Sequence, residues 1–339
     1  MFFILTNIEF ELKMIVLYVQ MESCFPSEDQ VSSLNVNIKS LEDVQLFLMK
    51  NEPNKQLTDR FICWLVKLGI LQIARKELWT QVFCDLMRSY SERSSFYFGD
   101  DVCKLSVEEE VLIRNDLDDY DALFPPDLND IIKDPKAFLF HIFCIMVKEN
   151  ANKWKYSSNY AVFGYIIVEL TARVAQDANL NINFVEAISY KMIEKLIDVV
   201  SINNVCLYLR NKMWKYFDYV DLMIKSYSPN NYRIIKSLKS SSMYFGIKLE
   251  NTLFASLHMN NTVNIMNIWD QILCRIDRYH QFLQSLIVAH IMQLKLTTNV
   301  LYINDYILNY RDWDLSKLIL DATMILKNPK MKTCCFFKI

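Results

Sequence analysis

The stretch HQFLQSLIVAHIMQLKL, residues 280–296, carries apolar side chains around most of its circumference when wound as a helix. A helix that is apolar on nearly every side is stable only in an interior, so the segment predicts a central, buried helix. The rest of the chain reads the same way. Only four glycines, at 69, 99, 164 and 246, and seven prolines occur in 339 residues, so the tight turns that join neighbouring strands lack their usual residues. Helix openings recur instead: Ser40 with Asp43, Ser106 with Glu109, Asn183 with Glu186, Asp134 followed by Pro135, and Asp314 before an apolar run. Short oxygen-bearing side chains at such positions accept from the free amides of a first helical turn. Between them apolar residues recur at three and four, as in Phe138, Phe140, Ile142, Phe143, Ile145 and Met146. An all-α, multi-helix protein with no substantial sheet follows. Residues 150–159, 226–231 and 296–300 read as loops, and without an internal repeat a regular solenoid is disfavoured.

Composition narrows the function classes. Apolar residues make up 52% of the chain, enough for a large core, and the net charge of -2 supplies no field to hold a phosphate backbone. Nucleic acid is therefore not expected as a partner. Nine cysteines lie scattered, with no C-x-x-C and no histidine at metal spacing, which predicts reduced thiols, no metal site and a cytoplasmic setting. The first twenty residues, MFFILTNIEFELKMIVLYVQ, are interrupted by Glu9, Glu11 and Lys13, so their apolar stretch is too short to span a bilayer. Met14 and Met21 offer alternative starts that would leave this leader out of the mature protein. Residues 328–339 form a short basic tail in which neither Cys334 nor Cys335 lies four from the end, as prenylation requires.

Much common chemistry is missing. Glycines at least thirty residues apart cannot form a phosphate-cradling loop, so direct nucleotide binding of those kinds is excluded and no cofactor is expected. His141, His258, His280 and His290 fall in no hydrolase or metalloprotease motif. The acidic run Glu108, Glu109, Glu110, Asp116, Asp118, Asp119 and Asp121 reads as a solvated helix whose first glutamates offset the positive helix end.

Four segments carry a resemblance. GILQIARKELW (69–79) sets Arg75 four residues before Trp79; VLIRNDLDDYDALFP (111–125) spaces Ile113, Asp116 and Asp119 by threes. NYAVFGYIIVEL (159–170) holds Tyr160 and Gly164, and LENTLFASLHMNNTVNIMNIWDQIL (249–273) carries Trp269-Asp270 near its end. In this order they resemble the TBC family of Rab GTPase-activating domains, whose motifs run G-I-P-x-x-L-R-x-x-V-W, I-x-x-D-x-x-R, Y-x-Q-G and a late W-D. The resemblance covers about residues 56–327, after a leader and first helix in residues 1–55. It implies a TBC-type fold, a Rab-family small GTPase as partner, an activator rather than an enzyme, and peripheral association with endomembranes through that partner.

The departures matter more than the matches. Leu71 replaces the first motif's proline. In the family the second motif's arginine stabilises charge on the transferring phosphoryl group, a contribution of roughly 10³–10⁵ for arginine fingers; here that position is Asp119. The glutamine that orients the attacking water falls on Val162 or Phe163, depending on whether Tyr160 or Gly164 anchors the motif. Ile113, Asp116, Asp119, Tyr160 and Gly164 are the expected groove, while Gly69, Arg75, Trp79, Trp269 and Asp270 are expected to pin helices. Asp116, which in the family holds the finger arginine, would here face a like charge at Asp119, which predicts a solvated groove or a basic partner. The resulting expectation is a pseudo-GAP or GTPase-binding scaffold of vesicle trafficking. Two alternatives stand beside it: an active GAP with compensating residues, and a helical scaffold unrelated to GTPases. For the active form, Arg114 lies about 140° around the helix from Asp119, whereas Arg88 and Arg93 would serve if residues 91–101 looped over the site.

Overall fold

The computed structural model describes residues 25–34, 38–50, 52, 55–98, 105–151, 155–204, 210–298 and 302–328. The leader 1–20, Gly99, Cys334 and Cys335 lie outside them. Among the described residues there are fifteen α-helices, five short 3-10 segments and no strand. The first half comprises α1 (Glu28–Ser33), α2 (Leu41–Met49), α3 (Leu57–Lys67), α4 (Trp79–Phe98), α5 (Val107–Tyr120), α6 (Pro135–Glu149), α7 (Tyr160–Asp177) and α8 (Ile182–Asn204). The second comprises α9 (Arg210–Tyr227), α10 (Pro229–Ser237), α11 (Ser242–Asn251), α12 (Thr262–Cys274), α13 (Tyr279–Gln293), α14 (Ile303–Asn309) and α15 (Leu315–Lys327).

Each half wraps one buried helix. Helix α7 is buried from Ala161 to Ala172 and packs against α3, α5, α6, α8 and α12. Helix α13, the segment apolar on most of its surface, is buried from Phe282 to Ile291 and packs against α9, α11, α12 and α15. The chain leaves that helix at Leu294, sooner than the apolar run ends. No helix among the described residues is long and apolar enough to cross a membrane.

Most starts fall where the caps predict them. Ser40 and Ser106 form reciprocal capping boxes with Asp43 and Glu109, Asp134 accepts from the Ala137 amide ahead of Pro135, and Asp314 accepts from the Lys317 amide. Helix α8 starts earlier than Asn183 suggested. Asn179 takes φ 53°, which closes α7 in a short turn, and the Asn181 side chain accepts from the Phe184 amide at 3.0 Å. Residues 226–231 are not a loop either: only Ser228 separates α9 from α10, because Pro229 is suited to a first helical position. Residues 91–98 belong to α4, which excludes a loop beginning at 91.

Helix α12 joins the halves through a buried polar knot. The Asp270 carboxylate accepts from Lys55 Nζ at 2.8 Å, Arg60 Nε at 3.1 Å and Trp64 Nε1 at 2.7 Å, and Arg60 also donates to Asn267. Trp269 beside it donates to the Leu253 carbonyl at 3.0 Å and packs on Trp64 at 5.7 Å between ring centres. Lys55, through its ion pair with Asp270, and α2, which packs on α12, thus belong to the same body. Gly69 closes α3 with φ 72°, the Ile70 amide reaching back to the Leu65 carbonyl. Arg75 departs from expectation: it is exposed, with φ -134° inside a 3-10 segment, and shares no helical face with Trp79. Trp79 is buried, its indole N–H on the Gln72 carbonyl.

Two predictions follow from this buried chemistry. Asp270→Ala leaves Lys55 and Arg60 buried without their counter-ion, and is expected to cost about 3–5 kcal/mol in denaturant unfolding. Burial pushes the Glu250 carboxyl up to about 8, while Tyr216 donates to it at 2.5 Å. A carboxyl raised in the folded state gives stability that is full below its unfolded pKa and is lost as pH rises through the folded one. Thermal melts should therefore show Glu250→Gln gaining on the wild type between pH 5 and about 8, with the difference smallest at the acid end.

Candidate functional site

Helix α7 begins with amides that have no partner inside the helix. The chain answers them from α5. The Asp116 carboxylate is 4% exposed and accepts from the Asn159 amide at 2.6 Å, the Ala161 amide at 2.9 Å and the Tyr156 hydroxyl at 2.7 Å. Tyr120, one turn along α5, donates to Asn159 Oδ1 at 2.7 Å. Burial raises the Asp116 pKa, the three hydrogen bonds oppose that rise, and the Asp119 charge adds to it. Where the sequence predicts a solvated groove or a basic partner, Asp116 is buried and the amides and dipole of a helix N-terminus take the cation's place.

Asp116 therefore fixes the approach of the α5 C-terminus to the turn before α7. Asp119 lies one turn past it and is exposed. Lys136 sits close by but pairs with Asp118 at 2.8 Å and Asp121 at 3.3 Å, and among the described residues Asp119 has no ion pair. Across the turn, Ser157 and Ser158 are exposed and Asn159 and Tyr160 are half-buried. These residues form the accessible part of the site.

Several expected groove residues offer no surface. Ile113, Val162, Phe163 and Gly164 are fully buried. Phe163 stacks on Tyr160 and meets Trp269 edge-on, with ring centres 6.0 and 5.6 Å away. At Gly164 a Cβ would stand 2.7 Å from Leu139 Cδ2 and 3.1 Å from Phe143 Cζ, so the glycine lets α6 approach α7.

One signal passed over in the sequence lies five residues earlier, at Asn159. Asn159 takes φ 83°, a left-handed conformation that glycine adopts freely and asparagine tolerates. It follows Tyr156 by three, so Tyr156, Ser158 and Asn159 have the spacing of Y-x-Q-G. The clues were an asparagine just before a long apolar run and a tyrosine three before it.

The arginines considered as substitutes are engaged elsewhere. Arg88 pairs with Asp85 and lies over the Phe25 ring, Arg93 pairs with Glu149 and lies over Tyr190, and Arg114 pairs with Glu110 while stacking 4.0 Å over Phe140.

The fold is that of a Rab-GAP domain. The crystal structure of the Ypt/Rab-GAP domain of Gyp1p matches with a TM-score of 0.62, covering 91% of this chain and 95% of that one at 11% sequence identity. No protein-family model and no curated protein matches the sequence.

The packing roles are separable by substitution. Gly164→Ala should lower stability by about 1–3 kcal/mol from overpacking, less the ~1 kcal/mol that alanine returns in helix propensity. Asn159→Gly meets the left-handed turn without strain but removes the acceptor of the Tyr120 hydroxyl, so a loss of about 1–3 kcal/mol is expected. Equilibrium urea unfolding of the two variants checks both.

Proposed function

We propose that this protein binds a Rab-type small GTPase at the surface formed by Asp119, Ser158 and Tyr160, and does not accelerate GTP hydrolysis. The observation that carries this reading is the pair of side chains at the turn. Asp119, read as the arginine position of the second motif, is an exposed aspartate, and the left-handed Asn159, read as the motif glycine, supports Ser158 as the glutamine position. A carboxylate at Asp119 repels the phosphoryl oxygens that an arginine would stabilise. A serine is two atoms too short to orient a water where a glutamine amide would. Two observations support the GTPase-binding half of the reading: Asp116 organises the α7 N-terminus, and the fold is similar to that of the Ypt/Rab-GAP domain of Gyp1p. On this reading the protein is a pseudo-GAP or GTPase-binding scaffold of membrane trafficking, cytoplasmic and held at endomembranes through its partner.

The competing reading, an active GAP with a substitute arginine, is disfavoured by the ion pairs and ring contacts of Arg88, Arg93 and Arg114.

Single-turnover GTP hydrolysis across a panel of Rab proteins discriminates the two. The wild-type chain should leave the intrinsic rate unchanged while still binding at least one GTP-loaded Rab. Asp119→Arg combined with Ser158→Gln should raise the rate at least about tenfold, a small part of the ~10³–10⁵ available to a well-placed finger. Acceleration on the order of a hundredfold by the wild type would overturn the pseudo-GAP reading.

A further inference from the structure

Away from the turn before α7, three helices bring a serine, a histidine and a glutamate into line. Ser94 on α4 has its Oγ 3.3 Å from His141 Nε2 on α6, and His141 Nδ1 lies 2.5 Å from Glu186 Oε1 on α8. The Tyr90 hydroxyl donates to the same Glu186 oxygen at 2.9 Å and stands 3.3 Å from Nδ1. A carboxylate only accepts, so the ring proton belongs on Nδ1, and Nε2 turns its lone pair toward the Ser94 hydroxyl. Burial first, and then the Glu186 charge, hold the Tyr90 pKa well above its ordinary value, so Tyr90 remains a donor. The Phe98 ring packs on the imidazole with centres 4.1 Å apart. The His141 side chain is 26% exposed and Ser94 is half-buried, so among the described residues the pair is partly open to solvent.

We propose that Ser94 is an activated nucleophile toward small carboxylic esters, with His141 as its general base and Glu186 as the positioning residue that sets the imidazole tautomer. This order of contacts, nucleophile to base to orienting carboxylate, is what serine acylation requires. Ser94 Oγ bonds to the acyl carbon as its proton passes to Nε2. The bond from that carbon to the leaving oxygen then breaks, and the alkoxide takes the proton from the imidazolium, giving O-acyl-Ser94 and an alcohol. Water activated by the same Nε2 returns the free acid and Ser94. Ser94 lies inside α4, where backbone amides are spent on helix hydrogen bonds. The oxyanion thus gains no amide from that turn, and an acylated enzyme that deacylates slowly is expected.

The test uses the full chain with p-nitrophenyl acetate and a fluorophosphonate probe, read by intact mass and peptide mapping. The expected result is a single adduct on Ser94, abolished in Ser94→Ala. It should form at least about tenfold more slowly in His141→Ala, at or below the ~10²–10⁴ span of general-base contributions. Glu186→Gln should slow it too, and should shift the pH dependence of labelling, which a merely structural role would not do. Ser94→Ala keeps a helix-compatible side chain, and its melting curve separates lost reactivity from lost folding. Labelling no faster than at the exposed neighbour Ser95, or a rate at Ser94 indifferent to His141→Ala, overturns the proposal.

Discussion

The Asp116 carboxylate, buried beneath the first turn of α7, takes three hydrogen bonds from groups that would otherwise be stranded: two backbone amides and the Tyr156 hydroxyl. Leaving a buried donor unmet costs about 1–3 kcal/mol, so this one side chain constrains both elements it joins. It fixes where α5 ends relative to α7 and holds the residues between Tyr156 and Ala161 in one conformation. Asp119 and Ser158 belong to these two elements, so their mutual placement depends on it. Helix α7, ordered from this end, is the axis on which α3, α5, α6, α8 and α12 pack.

Much of the architecture was legible in the chain because its causes are local. Scarce glycine, reciprocal caps at Ser40 and Ser106, and a run after His280 that is apolar on most of its surface are one-dimensional signals, and the helices form where they point. Boundaries failed where a single backbone angle decided them, as at Asn179, whose positive φ moved the start of α8 to Ile182. The 226–231 segment failed for the opposite reason: polar turn-like residues there are absorbed by a proline that opens α10.

The site was harder to read because its decisive features are non-local. Asp116 stood out by spacing, but its partners lie about forty positions away and two of them are backbone amides, which no side-chain pattern reveals. Gly164 looked like a motif glycine, yet its smallness serves the contact between α6 and α7. The residue that takes a glycine-like conformation is Asn159, and only the backbone identifies it. Likewise Arg75 and Trp79 share a helical face only if the segment is α-helical, and it is 3-10.

On the proposed reading, the exposed turn, with a carboxylate at Asp119 and a short hydroxyl at Ser158, holds a GTPase without assisting its chemistry. Hydrogen exchange read by mass spectrometry, with and without a GTP-loaded Rab that binds the chain, tests this most directly. The account predicts that amide protection on binding concentrates in residues 117–121 and 155–160. Protection confined to other helices, with that turn exchanging as in the free protein, would contradict it.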